Sequence, residues 1–99
     1  MEIKELVEKT HGLAIKKGFW DVNSNDMVLP AKLMLIVSEL AECMEADRNN
    51  DVDGIKEELA DAFIRLCDLC GALKIDIEAE ILKKGMKNEQ RPYKHSKKY

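Results

Sequence analysis

The sequence predicts an all-α chain, an up-down four-helix bundle. Three observations lead there. Apolar residues recur at three- and four-residue spacing over four separate stretches. The β-branched residues never alternate as a strand requires, and only two prolines and five glycines interrupt 99 residues. The connections are short, which favours antiparallel neighbours.

In the first helix, residues 2–17, Ile3, Leu6, Val7, Thr10 and Ala14 form one stripe, and Gly18 ends it. Residues 19–26 hold Phe19 and Trp20 followed by turn formers. The second helix starts near Pro30, a residue suited to a first turn, and runs to Arg48. Asn49, Asn50 and Asp51 make a turn. The third helix spans residues 52–73, with Ile55, Leu59, Ala62, Phe63, Leu66, Leu69, Cys70 and Leu73 on its stripe. Asp76 is placed to cap the fourth, which reaches Asn88, and Pro92 prevents a longer one.

At 99 residues the chain reads as one domain, 1–99, with a basic C-terminal tail over 88–99. A domain this small is marginal alone, and oligomerisation is a common remedy. The uncharged apolar run at 33–38 is far short of a bilayer span, and no apolar segment follows the first charges as in a signal peptide. No membrane role is expected.

The net charge of -3 is unevenly spread. Residues 1–86 hold 11 basic and 18 acidic side chains, while residues 87–99 hold five basic and one acidic. An acidic body with a basic tail is not a nucleic-acid footprint; it suits a body that gathers cations and a tail that meets an anion. Three cysteines, an odd number, point to a reducing, cytoplasmic setting. Cys67 and Cys70 have the spacing of a metal half-site, but with only His11 and His95 to add they read as small core residues.

On a helical wheel Leu33, Ile36, Val37, Leu40 and Met44 share one side of the second helix, the expected core side. Leu35 lies opposite, near Glu39 and Glu42. A helix apolar on both sides is covered on both, so a dimer or tetramer is expected. On the third helix Glu58, Asp61, Arg65 and Asp68 form a narrow charged strip bordered by Ile64 and the main stripe.

Glu39 with Glu42, and Glu58 with Asp61, are two carboxylate pairs at i, i+3 spacing. If the second and third helices are antiparallel neighbours, the pairs converge. Converging carboxylates repel unless a cation joins them, and hard oxygen donors select Mg²⁺, or Mn²⁺, over zinc. On the fourth helix Lys84 and Asn88 continue the stripe of Ile77 and Ile81, so both are expected to face inward.

The segment Ser38-Glu39-Leu40-Ala41-Glu42, followed by Glu57-Glu58-Leu59-Ala60-Asp61, resembles the signature of the MazG-like all-α nucleoside triphosphate pyrophosphohydrolases. So do Lys84, Asn88 and Arg91 with Pro92-Tyr93-Lys94-His95, and His11 with the turn at Gly18-Phe19-Trp20-Asp21. The resemblance covers nearly the whole chain. It implies a homodimeric or homotetrameric, Mg²⁺-dependent hydrolase that cleaves (d)NTPs to the monophosphate and pyrophosphate. Glu39, Glu42, Glu58 and Asp61 would be metal ligands, and Lys84, Asn88 and Arg91 would contact phosphates or sugar. Trp20 and His11 would meet the base, and Asp68 is a further substrate or supporting residue.

Ser38 stands where the family's first glutamate usually sits, which passes water activation to Glu39 or Glu42. The alternatives are a dUTPase or phosphoribosyl-ATP relative, or a non-catalytic helical oligomer that keeps the fold. A di-iron bundle is excluded, because it needs Glu-x-x-His on two helices and the sequence holds that spacing once, at Glu8 and His11.

Overall fold

The computed structural model describes residues 1–20 and 29–99. Among them are four α-helices, α1 (Ile3–Lys16), α2 (Leu29–Arg48), α3 (Val52–Ala72) and α4 (Ile77–Glu89), and a 3₁₀ turn at Tyr93–Ser96. No strand occurs among the described residues, and no helix is long and apolar enough to cross a membrane. Most of the loop at 19–26 lies outside the described residues.

The helix ends follow local chemistry. Gly18 takes φ 85 after α1, a left-handed conformation that glycine adopts without a Cβ clash. The Asp51 side chain accepts the Gly54 amide at 2.9 Å, and Asp76 accepts that of Ala79 at 3.2 Å. Each satisfies an amide that the first helical turn leaves unpaired.

The α2–α3 pair is an antiparallel hairpin. Its partners pair in opposite order: Cys43 Sγ lies 3.8 Å from the Ile55 carbonyl, and Glu39 bonds to Arg65. α1 packs on α3 as a third helix. A Cβ on Gly71 would lie 2.7 Å from the Cβ of His11, so that glycine is what lets the two helices close up. The buried apolar side chains among the described residues are Ala62, Cys67, Leu69 and Cys70, all on α3. Burial pushes both thiols up, with Cys70 adding to the effect at Cys67, as suits small core residues.

Two expectations need correction. The side of α2 that meets α3 is the row Lys32, Ile36, Glu39, Cys43 and Ala46, at alternating four- and three-residue steps. The apolar row Leu33, Val37, Leu40 and Met44 lies beside it and is exposed. On α3 the matching row, Leu59, Phe63, Leu66 and Leu73, is exposed too. The periodicity located both rows correctly but not what covers them, because the charged residues of the two helices satisfy each other in the seam.

The second correction concerns α4. Its main neighbour is α1, Ile77 is half-buried, and every residue from Glu78 onward is exposed. Lys84 and Asn88 therefore do not face a core within this chain. The helix meets too little of the body to bury a stripe, so within this all-helical, four-helix arrangement the packing is carried mainly by α1, α2 and α3.

Candidate functional site

The α2–α3 seam is where the carboxylates gather. Oxygens of Glu39, Glu58 and Asp61 all lie within 4.8 Å of one another. Glu39 is 9% exposed, the one buried charged residue among those described. Arg65 donates from Nε to Glu39 Oε1 at 2.9 Å, fixing one oxygen of the cluster. Glu42 is exposed and outside the three-oxygen cluster, yet near enough to act on both Glu39 and Glu58.

Arg65 is the main reason that Glu39 is held below the usual carboxylate range, and the hydrogen bond it shares with Glu58 adds to this. Glu58 goes the other way. Sharing that bond with Glu39, burial, and Glu42 nearby push it up to about 7. Its Oε2 is buried and has no hydrogen-bond partner. A buried carboxylate oxygen without a donor, among other carboxylates, calls for a proton or a cation. The donors are all hard oxygens, which fit Mg²⁺ or Mn²⁺.

A groove of about 480 Å³ runs between α1 and this seam. Glu39, Asp61, Arg65 and Asp68 line it with the apolar Leu6, Leu13, Phe19 and Ile64. Lys9, Lys17 and Lys32 bring cations to the same groove.

Asp68 ties three parts of the chain together. Its Oδ1 lies 2.8 Å from His11 Nδ1 and accepts Trp20 Nε1 at 2.8 Å. His11 and Trp20 meet edge to face, with ring centroids 5.7 Å apart. Lys32 donates to the Phe19 carbonyl at 2.7 Å, and its ammonium stands 4.3 Å from the Trp20 ring. The turn after α1 is thereby fastened to both α2 and α3.

Of the residues singled out in the sequence, the structure groups Glu39, Glu42, Glu58 and Asp61 around the seam, and His11, Trp20 and Asp68 beside the groove. It does not bring Lys84, Asn88 and Arg91 to this groove. Asn88 and Arg91 line a separate cavity of about 560 Å³ with Pro92, Lys94 and His95. The Ser38 hydroxyl donates to the Leu35 carbonyl of its own helix at 2.7 Å and is exposed.

Lys32 was not singled out. The available signal was its place seven residues before Glu39, two turns away on the same face. Gly71 also escaped notice, since a close approach between α1 and α3 leaves no periodic trace.

Compared with known proteins, the chain matches no protein-family model, no curated protein and no solved structure.

Proposed function

We propose that this chain is a divalent-metal-dependent nucleotide pyrophosphohydrolase, cleaving a (d)NTP to the monophosphate and pyrophosphate. The observation that carries the reading is the convergence of Glu39, Glu58 and Asp61 on one point, with an unpartnered Glu58 oxygen among them. The resemblance of the two acidic segments to the MazG-like signature supports the same conclusion. We take the working unit to be a homo-oligomer.

Glu39, Glu58 and Asp61 would hold the ion, Mg²⁺ or Mn²⁺. Bound there, it would neutralise phosphate charge and make a water easier to deprotonate. Glu42, outside the cluster but next to it, is the residue left to accept the water's proton. The water oxygen forms a bond to the α-phosphorus, and the bond from that phosphorus to the α–β bridging oxygen breaks. The electron pair leaves with pyrophosphate.

Arg65 keeps Glu39 ionised and fixed. Lys32, with Lys9 and Lys17, supplies positive charge for the phosphates from the groove itself. The apolar Leu6, Leu13 and Phe19 and the edge-to-face pair of Trp20 and His11, both held by Asp68, suit the flat, partly apolar base. For Lys84, Asn88 and Arg91 as phosphate ligands, the resemblance alone speaks.

The test is product analysis with Mg²⁺ and a panel of dNTPs and NTPs. Pyrophosphate and monophosphate are expected, and both are lost in Glu39→Gln and Glu58→Gln. Orthophosphate as the only product would overturn attack at the α-phosphorus. No turnover, with no thermal shift on adding Mg²⁺, would favour a non-catalytic helical oligomer.

A further inference from the structure

We propose that the groove selects nucleotides whose base carries an amino group at its outer edge, the N4 of cytosine or the N6 of adenine, and that the Asp68 carboxylate reads that group. This deepens the reading above and rests on the groove being a nucleotide site.

Position comes first. Asp68 lies seven residues after Asp61 on α3, two turns along the same face and about 10 Å farther along the axis. Both carboxylates line the groove. With the α-phosphate at the end that holds Glu39, Glu58 and Asp61, a nucleoside laid along α3 brings the outer edge of its base to Asp68. Phe19, the residue before Trp20, is 60% exposed and lines the same groove, so it offers an aromatic face to that base.

The bonds of Asp68 decide what it has left to offer. Oδ1 lies 2.8 Å from His11 Nδ1 and accepts Trp20 Nε1 at 2.8 Å, so its two lone pairs are spent. Among the described residues Oδ2 receives only the longer branch of the Trp20 bond, at 3.1 Å. Oδ2 therefore keeps acceptor capacity, on a side chain that is 13% exposed. Trp20 has its N–H on Asp68, the Lys32 ammonium 4.3 Å from its ring and His11 at its edge. Neither Trp20 nor His11 lines the groove. Both are positioning residues that act through Asp68, and contact with the base falls to Asp68 and Phe19.

The selection follows from the chemistry of the acceptor. A carboxylate offers lone pairs and no donor. An amino N–H meets it in a charge-assisted hydrogen bond. Uracil and thymine carry a carbonyl oxygen in place of the cytosine N4, and hypoxanthine and guanine carry one in place of the adenine N6. There two oxygens would face each other, and the half-withdrawn carboxylate would lose water without gaining a donor. A site that hydrogen-bonds a substrate N–H rejects an analogue without it far more strongly than a pocket rejects a methylene.

The test compares kcat/KM for dCTP with dUTP and for dATP with dITP, in Mg²⁺. In each pair that is turned over, the amino-bearing member is expected to lead by about 10- to 100-fold. Equal values within the pairs would overturn the inference. In Asp68→Asn the donors at Oδ1 hold the amide oxygen there, so the amide NH₂ stands where Oδ2 was, and the ratios should fall to about one or below. A loss by the same factor for both members of a pair would assign Asp68 only to holding His11 and Trp20, and would overturn the inference too. Should the variant fail to fold, the wild-type chain decides with the deoxynucleoside triphosphate of 2-pyrimidinone, which lacks the amino group and gains no carbonyl. It should fall between dCTP and dUTP, and parity with dCTP would refute the amino contact. Calorimetric binding of dCMP and dUMP needs no turnover. Tighter binding of dCMP by a chain that hydrolyses nothing would keep the base selection and sink the hydrolase, whereas equal hydrolysis of dCTP and dUTP would do the reverse.

Discussion

On the side of the α2–α3 hairpin that meets α1, carboxylates, an arginine and a lysine are partly withdrawn from water. On the opposite side, leucines, a valine and a phenylalanine face it. A self-sufficient small protein has the reverse distribution. The difference separates two tasks. The polar side is held by specific pairs, Arg65 with Glu39 and Asp68 with His11 and Trp20, and leaves a groove open. The apolar side presents large side chains that remain 43–60% exposed among the described residues.

The largest effects belong to the polar side. Glu42→Gln should lower turnover by about 10²–10⁴-fold, the usual contribution of a proton acceptor, with the fold unchanged by circular dichroism. Glu58→Gln should also abolish turnover, yet raise the melting temperature of metal-free protein above neutral pH. It removes one of the crowded like charges. Loss of both activity and stability together would mean that Glu58 is needed for packing instead.

Gly71→Ala comes next. The new Cβ meets the His11 backbone-proximal carbon and must push α1 away, at a cost of about 1–3 kcal/mol by urea unfolding. The same change should disturb the Asp68 bonds and with them the groove.

Lys32→Met should raise KM for a triphosphate by about tenfold with a smaller change in kcat, as for a charged contact made before the reaction begins. Lys32→Arg should restore most of the loss, because charge rather than shape is at stake. A fall in kcat alone would assign Lys32 only to holding the Phe19 turn.

The mildest test is pH. Folding raises Glu58 from 4.5 to about 7, so between those values the folded chain binds more protons than the unfolded one. Stability of metal-free protein therefore falls as pH rises through that range. Glu39, shifted downward, contributes stability above its unfolded value and loses it only in more acidic solution. Mg²⁺ should flatten the decline near neutrality. A metal-free melting temperature that climbs steadily from pH 5 to 7 would contradict it.

The sequence carried the helices well, because their ends depend on neighbours in the chain. Asp76 caps α4 as its position suggested, and the turn at Asn49–Asp51 closes α2 onto α3. The meeting of the two acidic pairs was also legible, since a three-residue turn makes their helices neighbours. The inward side of α2 was not. Periodicity marks which residues avoid water, not whether the same chain shields them, and on α2 the seam belongs to Glu39 and Lys32. Lys84 and Asn88 misled in the same way, by extending a stripe that α4 does not bury. The bonds of Asp68 to Trp20 and His11 join residues far apart in sequence, and no local pattern announces such a pairing.

Trp20 is the only tryptophan in the chain, and its indole nitrogen is bonded to a carboxylate that lines the groove. A cation stands over its ring and an imidazole at its edge. Its ultraviolet emission is therefore a built-in optical gauge of the groove. Whatever draws Asp68 or Lys32 to itself alters the quenching and polarity around the fluorophore, so occupancy can be titrated without attaching a dye.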